Sequence, residues 1–174
     1  FYFMRYIMSF TKNLNKLLLV GAVFIGGSMS GNCMEITIHL GSMFENTRVL
    51  DNEDTLYTPA VKAAMSSYSV ATSNIQEIEN SLIENANNGN YFAQYYLAEY
   101  YGALAKEKQN GEKFALEKMK AILLLVSAVK GSFWRSIDEL KFALNGSTEK
   151  QLAELKTEID IEQLATTLAR TGKL

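Results

Sequence analysis

The chain contains one proline, one cysteine, one histidine and one tryptophan in 174 residues, and each scarcity excludes something. A single cysteine, Cys33, rules out an internal disulfide and a multi-thiolate metal site. A single histidine, His39, removes every multi-histidine metal site and any Ser–His or Cys–His pair not built on that residue. With no companion ligand, His39 reads as a solvated side chain. The lone proline, Pro59, leaves the rest of the chain free to form long helices, and the Ala, Leu, Glu, Lys and Gln that dominate after it favour them. Neither sign of charge is in excess. Seventeen basic and nineteen acidic side chains give a net charge of −2, which is no electrostatic footprint for nucleic acid. No cofactor, no metal and no catalytic activity are expected from this inventory.

The amino-terminal residues 1–33 read as a secretory signal or an anchor. Arg5, Lys12 and Lys16 supply positive charge, Leu17–Ile25 is a nine-residue apolar run, and Gly26, Gly27, Ser28, Ser30 and Gly31 are small residues of the kind found near a cleavage point. Nine apolar residues fall short of the roughly 20 a spanning helix needs. A periplasmic or secreted location is therefore expected, with membrane contact only through this segment. Two alternatives stay open: an uncleaved anchor, and a lipoprotein acylated at Cys33, although Asn32 directly before the cysteine departs from the usual lipoprotein signal.

Residues 34–58 are expected to form a polar, flexible lead-in, extended at Glu35–Leu40 and rich in Asn, Asp and Glu thereafter. From 59 to 174 the chain reads as one helical repeat domain. Thr58–Pro59 starts a helix running to about Ser69, with Val61, Ala64, Met65 and Tyr68 on one side. A second, capped by Ser73 or Asn74, carries Ile75, Ile78, Leu82, Ile83 and Ala86 and ends at Asn87–Gly89. A third spans Asn90–Lys108 and a fourth Lys113–Val129, the latter apolar nearly all round and therefore central. A fifth covers Ser132–Leu144. Beyond Asn145–Gly146, Thr148 and Gln151 offer a capping box for a last helix with a polar outer side. Asp160 marks a kink or short break in it.

Small residues recur through this region. Ala86 and Gly89 are followed by Ala93, Gln94, Leu97, Ala98 and Tyr101; Ala121 and Leu124 lead to Ala128 and Gly131. Ala86–Gly89 and Ala128–Gly131 lie 42 residues apart, and Leu82 and Ile83 match Leu124 and Leu125 at the same interval. Alanine lets helix axes close up, and glycine after the second helix of a pair permits a tight reversal. The expected architecture is all-α: a short α/α solenoid of antiparallel helix hairpins with a C-terminal capping helix.

The pattern A-x2-G-x3-AQ-x2-LA-x2-Y at Ala86–Tyr101, followed by KA-x2-LL-x2-AV-x-G at Lys120–Gly131, resembles the Sel-one-like repeat family, an α/α solenoid family related to tetratricopeptide repeats. The resemblance covers about one unit, residues 86–127, with partial units on either side. After Gly131 the family's Ala–Gln pair is replaced by Arg135–Ser136. The resemblance implies a non-catalytic module that presents a concave surface to a protein partner; in exported bacterial members it implies envelope or host-interaction roles.

Six aromatics on one helix, Tyr91, Phe92, Tyr95, Tyr96, Tyr100 and Tyr101, exceed what a single buried face takes. Some of Tyr91, Tyr95 and Tyr96 are therefore expected at the surface as partner contacts. Trp134 and Arg135 form a second candidate contact, with Trp134 otherwise serving as a lid on the last apolar layer. The acidic groups Glu77–Glu79 and Glu158–Asp160–Glu162 would be needed by a carboxylate-dependent envelope hydrolase, the remaining alternative. Spacing by two sends them to different sides of a helix, so they read as solvated surface.

Overall fold

The computed structural model describes residues 38–67, 75–144 and 147–172. The chain divides into Phe1–Cys33 and Met34–Leu174, and all described residues belong to the second unit. The signal or anchor, Cys33, Tyr68, the Ser73 and Asn74 caps and the Asn145–Gly146 stop lie outside the described residues. Within them the protein is all-helical: α1 (Leu40–Asn46), a 3-10 turn (Glu53–Leu56), α2 (Pro59–Ser67), α3 (Ile75–Asn87), α4 (Tyr91–Glu107), α5 (Asn110–Val129), α6 (Trp134–Ala143), α7 (Thr148–Glu154) and α8 (Glu158–Thr171).

Helix α5 is the centre, as its all-round apolar character requires. Leu123, Leu124, Leu125 and Val126 are fully buried, and α4, α6 and α8 all pack on it. The connection from α4 to α5 is only Lys108–Gln109, shorter than expected, because Asn110 takes a left-handed φ of 52° and turns the chain straight into the next helix. Helix α2 packs on both α3 and α4. Phe133, at the start of α6, packs tilted or edge-on against Tyr91, Phe92 and Tyr95 of α4, with ring centroids 5.5, 4.7 and 5.5 Å away.

The repeated small residues sit where helices cross. Ala86, Ala93, Ala98 and Ala121 are completely buried and Ala128 nearly so. The two glycines are required for different reasons. Gly89 adopts φ +87°, closing α3 with Gly89 N–H donating to Ala86 O and Asn90 N–H to Asn85 O. Gly131 does not need positive φ; Ser132, at φ 51°, takes the left-handed turn instead. A side chain at Gly131 would lie 2.8 Å from Tyr91 Cβ, so close approach is what selects glycine there. Two buried polar side chains also tie neighbouring helices. Gln94, fully buried, donates from Nε2 to Ala86 O of the preceding helix at 3.1 Å; Ser136, 42 residues on and equally buried, bonds Ser127 Oγ of its preceding helix at 2.6 Å.

The lead-in departs from the expectation. Leu40 opens a helix rather than ending a strand, and Met43, Thr47 and Leu56 of this polar segment are buried in the core. Its sequence hides this because the anchors are spaced widely and the ties are polar. His39 N–H donates to Asn87 Oδ1, Asn46 Nδ2 to Asn87 O, Gln94 Nε2 to Thr47 Oγ1 and Asn90 Nδ2 to Leu56 O. Helix α1 thereby reaches α3, α5 and α8. The His39 side chain is exposed, as read.

At the other end, Thr148 and Gln151 do not cap: Ser147 is the N-cap of α7 and makes no side-chain cap bond, and Thr148 Oγ1 and Gln151 Oε1 are buried without a hydrogen-bond partner among the described residues. The capping box is Thr157 with Asp160, whose carboxylate accepts from Thr157 N–H at 2.9 Å. The break expected at Asp160 therefore falls before it, at Leu155–Thr157, and Asp160 is the third residue of α8. The Thr157 hydroxyl and the backbone N–H groups hold the Asp160 carboxyl below its usual range.

Candidate functional site

The largest aromatic helix, α4, is positioned by its cap: Asn90 Oδ1 accepts from Ala93 N–H at 3.0 Å. Tyr91 and Tyr96 are buried, with 3% and 7% of their surface exposed, and Tyr101 is buried as well. Neither Tyr91 nor Tyr96 is at the surface as expected: Tyr91 is held between Phe92 and Phe133, at 5.5 Å from each ring centroid. Tyr95 is half-buried and keeps one edge at the surface. Trp134 is not a lid. Phe133 takes the buried place beside it, and Trp134 stands 61% exposed.

Tyr95, Tyr96 and Arg135 come together in one shallow, open cleft of about 310 Å³, lined as well by Met65 of α2 and Glu99 of α4. Three helices that are not consecutive in the chain, α2, α4 and α6, thus share one depression. Arg135 Nη1 donates to Tyr96 Oη at 3.3 Å, and its guanidinium lies 5.2 Å from the Trp134 ring centroid. Met65, expected on the buried side of its helix, is 39% exposed at the cleft wall.

Behind the cleft lies a charge cluster that spacing in the sequence did not disclose. Lys120 of α5 is buried, and its stem lies across Gly102, where a Cβ would approach Lys120 Cδ to 2.9 Å. Its ammonium pairs closely with Glu139 of α6 and stands 4.0 Å from Glu99 of α4. One cation thus joins three helices. The Glu99 carboxyl is raised above its usual value, first by burial and next by the adjacent Glu139, with Lys120 and Lys106 opposing. Tyr95 is pushed up to about 12, by burial first and then by the field of Glu99 and Glu139. No pattern in the sequence points to these three residues as a group, because they lie on three different helices at unremarkable intervals.

The acidic groups singled out in the sequence separate. Glu77 is exposed, whereas Glu79 is half-buried, accepts from Tyr100 Oη at 3.2 Å and has its carboxyl raised by burial. Glu162 is taken by Lys118 at 2.8 Å. Among the described residues no group of His, Cys, Asp and Glu is placed to hold a metal ion, and no helix is long and apolar enough to cross a membrane. What the cleft offers chemically is recognition: aromatic walls, one guanidinium, one carboxyl and a flexible thioether.

Comparison of the chain with protein-family models, with curated proteins and with solved structures gives no match.

Proposed function

We propose that this chain is a non-catalytic protein-binding module built as a short Sel-one-like α/α solenoid, with α2, α4 and α6 forming its binding face. The observation that carries the reading is the cleft at the junction of those three alternate helices, lined by Met65, Tyr95, Tyr96, Glu99 and Arg135 and flanked by exposed Trp134. Alternate helices side by side are what stacked hairpins produce, and the face they share is where such modules take a partner. Tyr, Trp and Arg are also the residues that concentrate binding energy. In this reading α8 closes the other layer by packing on α5.

The test is a photo-crosslinking amino acid at position 95, compared with one at exposed Gln163 on α8, in the cells that produce the protein. Position 95 should yield discrete adducts with another protein, and position 163 should not. Equal adducts from both positions, or none from position 95, would remove the basis for a binding face here.

We also propose export to the periplasm or cell exterior, directed by residues 1–33, on the strength of the Leu17–Ile25 run behind Lys12 and Lys16. Mass spectrometry of the mature protein should find a new amino terminus between Gly26 and Met34. An intact first segment, or a lipid on Cys33, would replace this reading with an anchored one.

A further inference from the structure

Helix α6 buries Ser136, Leu140 and Ala143 and packs on α5 and α7, with Phe133 just before it and Arg135 within it turned to α4. Its opposite side is a stripe of four exposed residues, Trp134, Asp138, Lys141 and Phe142. They share that side because they stand at i, i+4, i+7 and i+8. Phe142 is 86% exposed, more than any other large apolar side chain among the described residues. A helix side left to water is ordinarily polar. This one carries an exposed ring at each end and a single ion pair between them, Lys141 Nζ donating to Asp138 Oδ1 at 2.9 Å.

The order of these groups selects what covers them. Read from either end of α6, the stripe is ring, charged pair, ring. A second copy laid antiparallel therefore sets rings against rings and charges against charges. With Trp134 opposite the partner's Phe142, the two-fold axis falls at Asp138. The partner's Lys141 then lies one helical turn away along the axis, within the reach of a lysine side chain. Each Asp138 is met by its own Lys141 and by the partner's Lys141, and the charges cancel, so two like surfaces meet without repulsion. The area suits a reversible pair. Four partly exposed rings bury roughly 600 Å². With the charged residues between them the contact reaches about 1,000 Å², the low end for a specific interface. We propose that this stripe of α6 is an interface between two copies of the chain, with Trp134 of each packed on Phe142 of the other and the Asp138–Lys141 pairs shared across the axis. The surface lies beyond the cleft and has only Trp134, at the cleft's flank, in common with it.

Trp134, the only tryptophan in the chain, reports the contact. The protein purified from the cells that produce it should sediment with a mass that rises with concentration towards two chains, and Trp134 emission should move to shorter wavelength over the same range. Phe142→Ser, at a site with almost no packing to lose, should weaken association by about tenfold or more and abolish the emission shift. Asp138→Lys should do the same, because lysines then face lysines across the axis. Adding Lys141→Asp makes the stripe neutral again and should restore the pair. Circular dichroism melts of each variant check that the fold is intact. A photo-crosslinking amino acid at position 142 should give an adduct of two chains joined at Trp134. A chain monomeric at every concentration, association unchanged in Phe142→Ser, a charge exchange that recovers nothing lost in Asp138→Lys, or adducts from position 142 with a different protein alone would each overturn the proposal. Adducts of another protein at position 95 alongside any of these results would leave the cleft reading standing and remove only the pair. Self-adducts at position 142 with none at position 95 would keep the pair and remove the cleft.

Discussion

Gly89→Ala is expected to destabilise the domain by about 3 kcal/mol, lowering its melting temperature by about 10 °C. Two independent costs combine. The backbone at φ +87° lies where an L side chain is strained, a cost of about 1–2 kcal/mol. The added methyl would also stand 2.5 Å from the carbonyl carbon and oxygen of Asn46, backbone atoms that cannot swing away. Relief requires α1 to lift off the end of α3, breaking the bonds from Asn46 and His39 to Asn87. Two other glycines calibrate the result. Gly172 has φ +62° with nothing near its missing Cβ, so Gly172→Ala measures strain alone. Gly111 has neither strain nor neighbours, and alanine there should be neutral or slightly stabilising. Thermal melts of the three variants should rank Gly89→Ala well below Gly172→Ala, and Gly111→Ala at or above the parent. A Gly89 variant melting with the Gly172 variant would mean that the Asn46 contact carries no weight.

The second large effect is Lys120→Met, which keeps the stem packed on Gly102 and deletes the charge. Glu99 and Glu139 then face each other, half-buried, with no cation between them. Removing one member of a buried charge cluster costs about 3 kcal/mol, most of it from the charges left behind. The cost must depend on pH, and its sign follows from Glu99. Its carboxyl is already raised in the folded state above the usual 4.5, so the folded form favours the proton. Stability from that proton is fully present below about 4.5 and is lost as pH rises through the folded-state value. Without Lys120 the folded-state value climbs further, so the variant loses more on the same path. Denaturant titrations should show a deficit large at pH 7 and shrinking towards pH 4.5, and Lys120→Met combined with Glu99→Gln should recover most of it at pH 7. A deficit independent of pH would assign the effect to packing instead.

These two sites differ in how far they could be read from residues alone. The helices from Pro59 onward were legible because their apolar stripes have helical period and their ends carry Asn and Gly, and the centrality of α5 follows from its lack of a polar face. The lead-in was not, since three anchors, Met43, Thr47 and Leu56, are too few and too scattered to show a period. Within the aromatic helix, the sequence announced more rings than one face holds but could not say which were surplus. That choice depends on Phe133 arriving from α6 and claiming the space around Tyr91 and Phe92. Trp134 was displaced outward by the same event, because Phe133 precedes it by one residue and already fills the layer. The Lys120 cluster depends on three helices meeting, which no local pattern encodes.

The ties from His39, Asn46 and Thr47, at the two ends of α1, to Asn87 at the end of α3 and Gln94 in the first turn of α4 join positions more than 40 residues apart. An open stack of hairpins can fray one unit at a time from either end, since each layer answers only to its neighbour. Here the same short helix touches α3, α5 and α8, so the first, middle and last parts of the core are clasped together. Fraying from one end is thereby resisted by the rest, and unfolding is expected in a single step, with coincident denaturation curves from circular dichroism and Trp134 emission as the check.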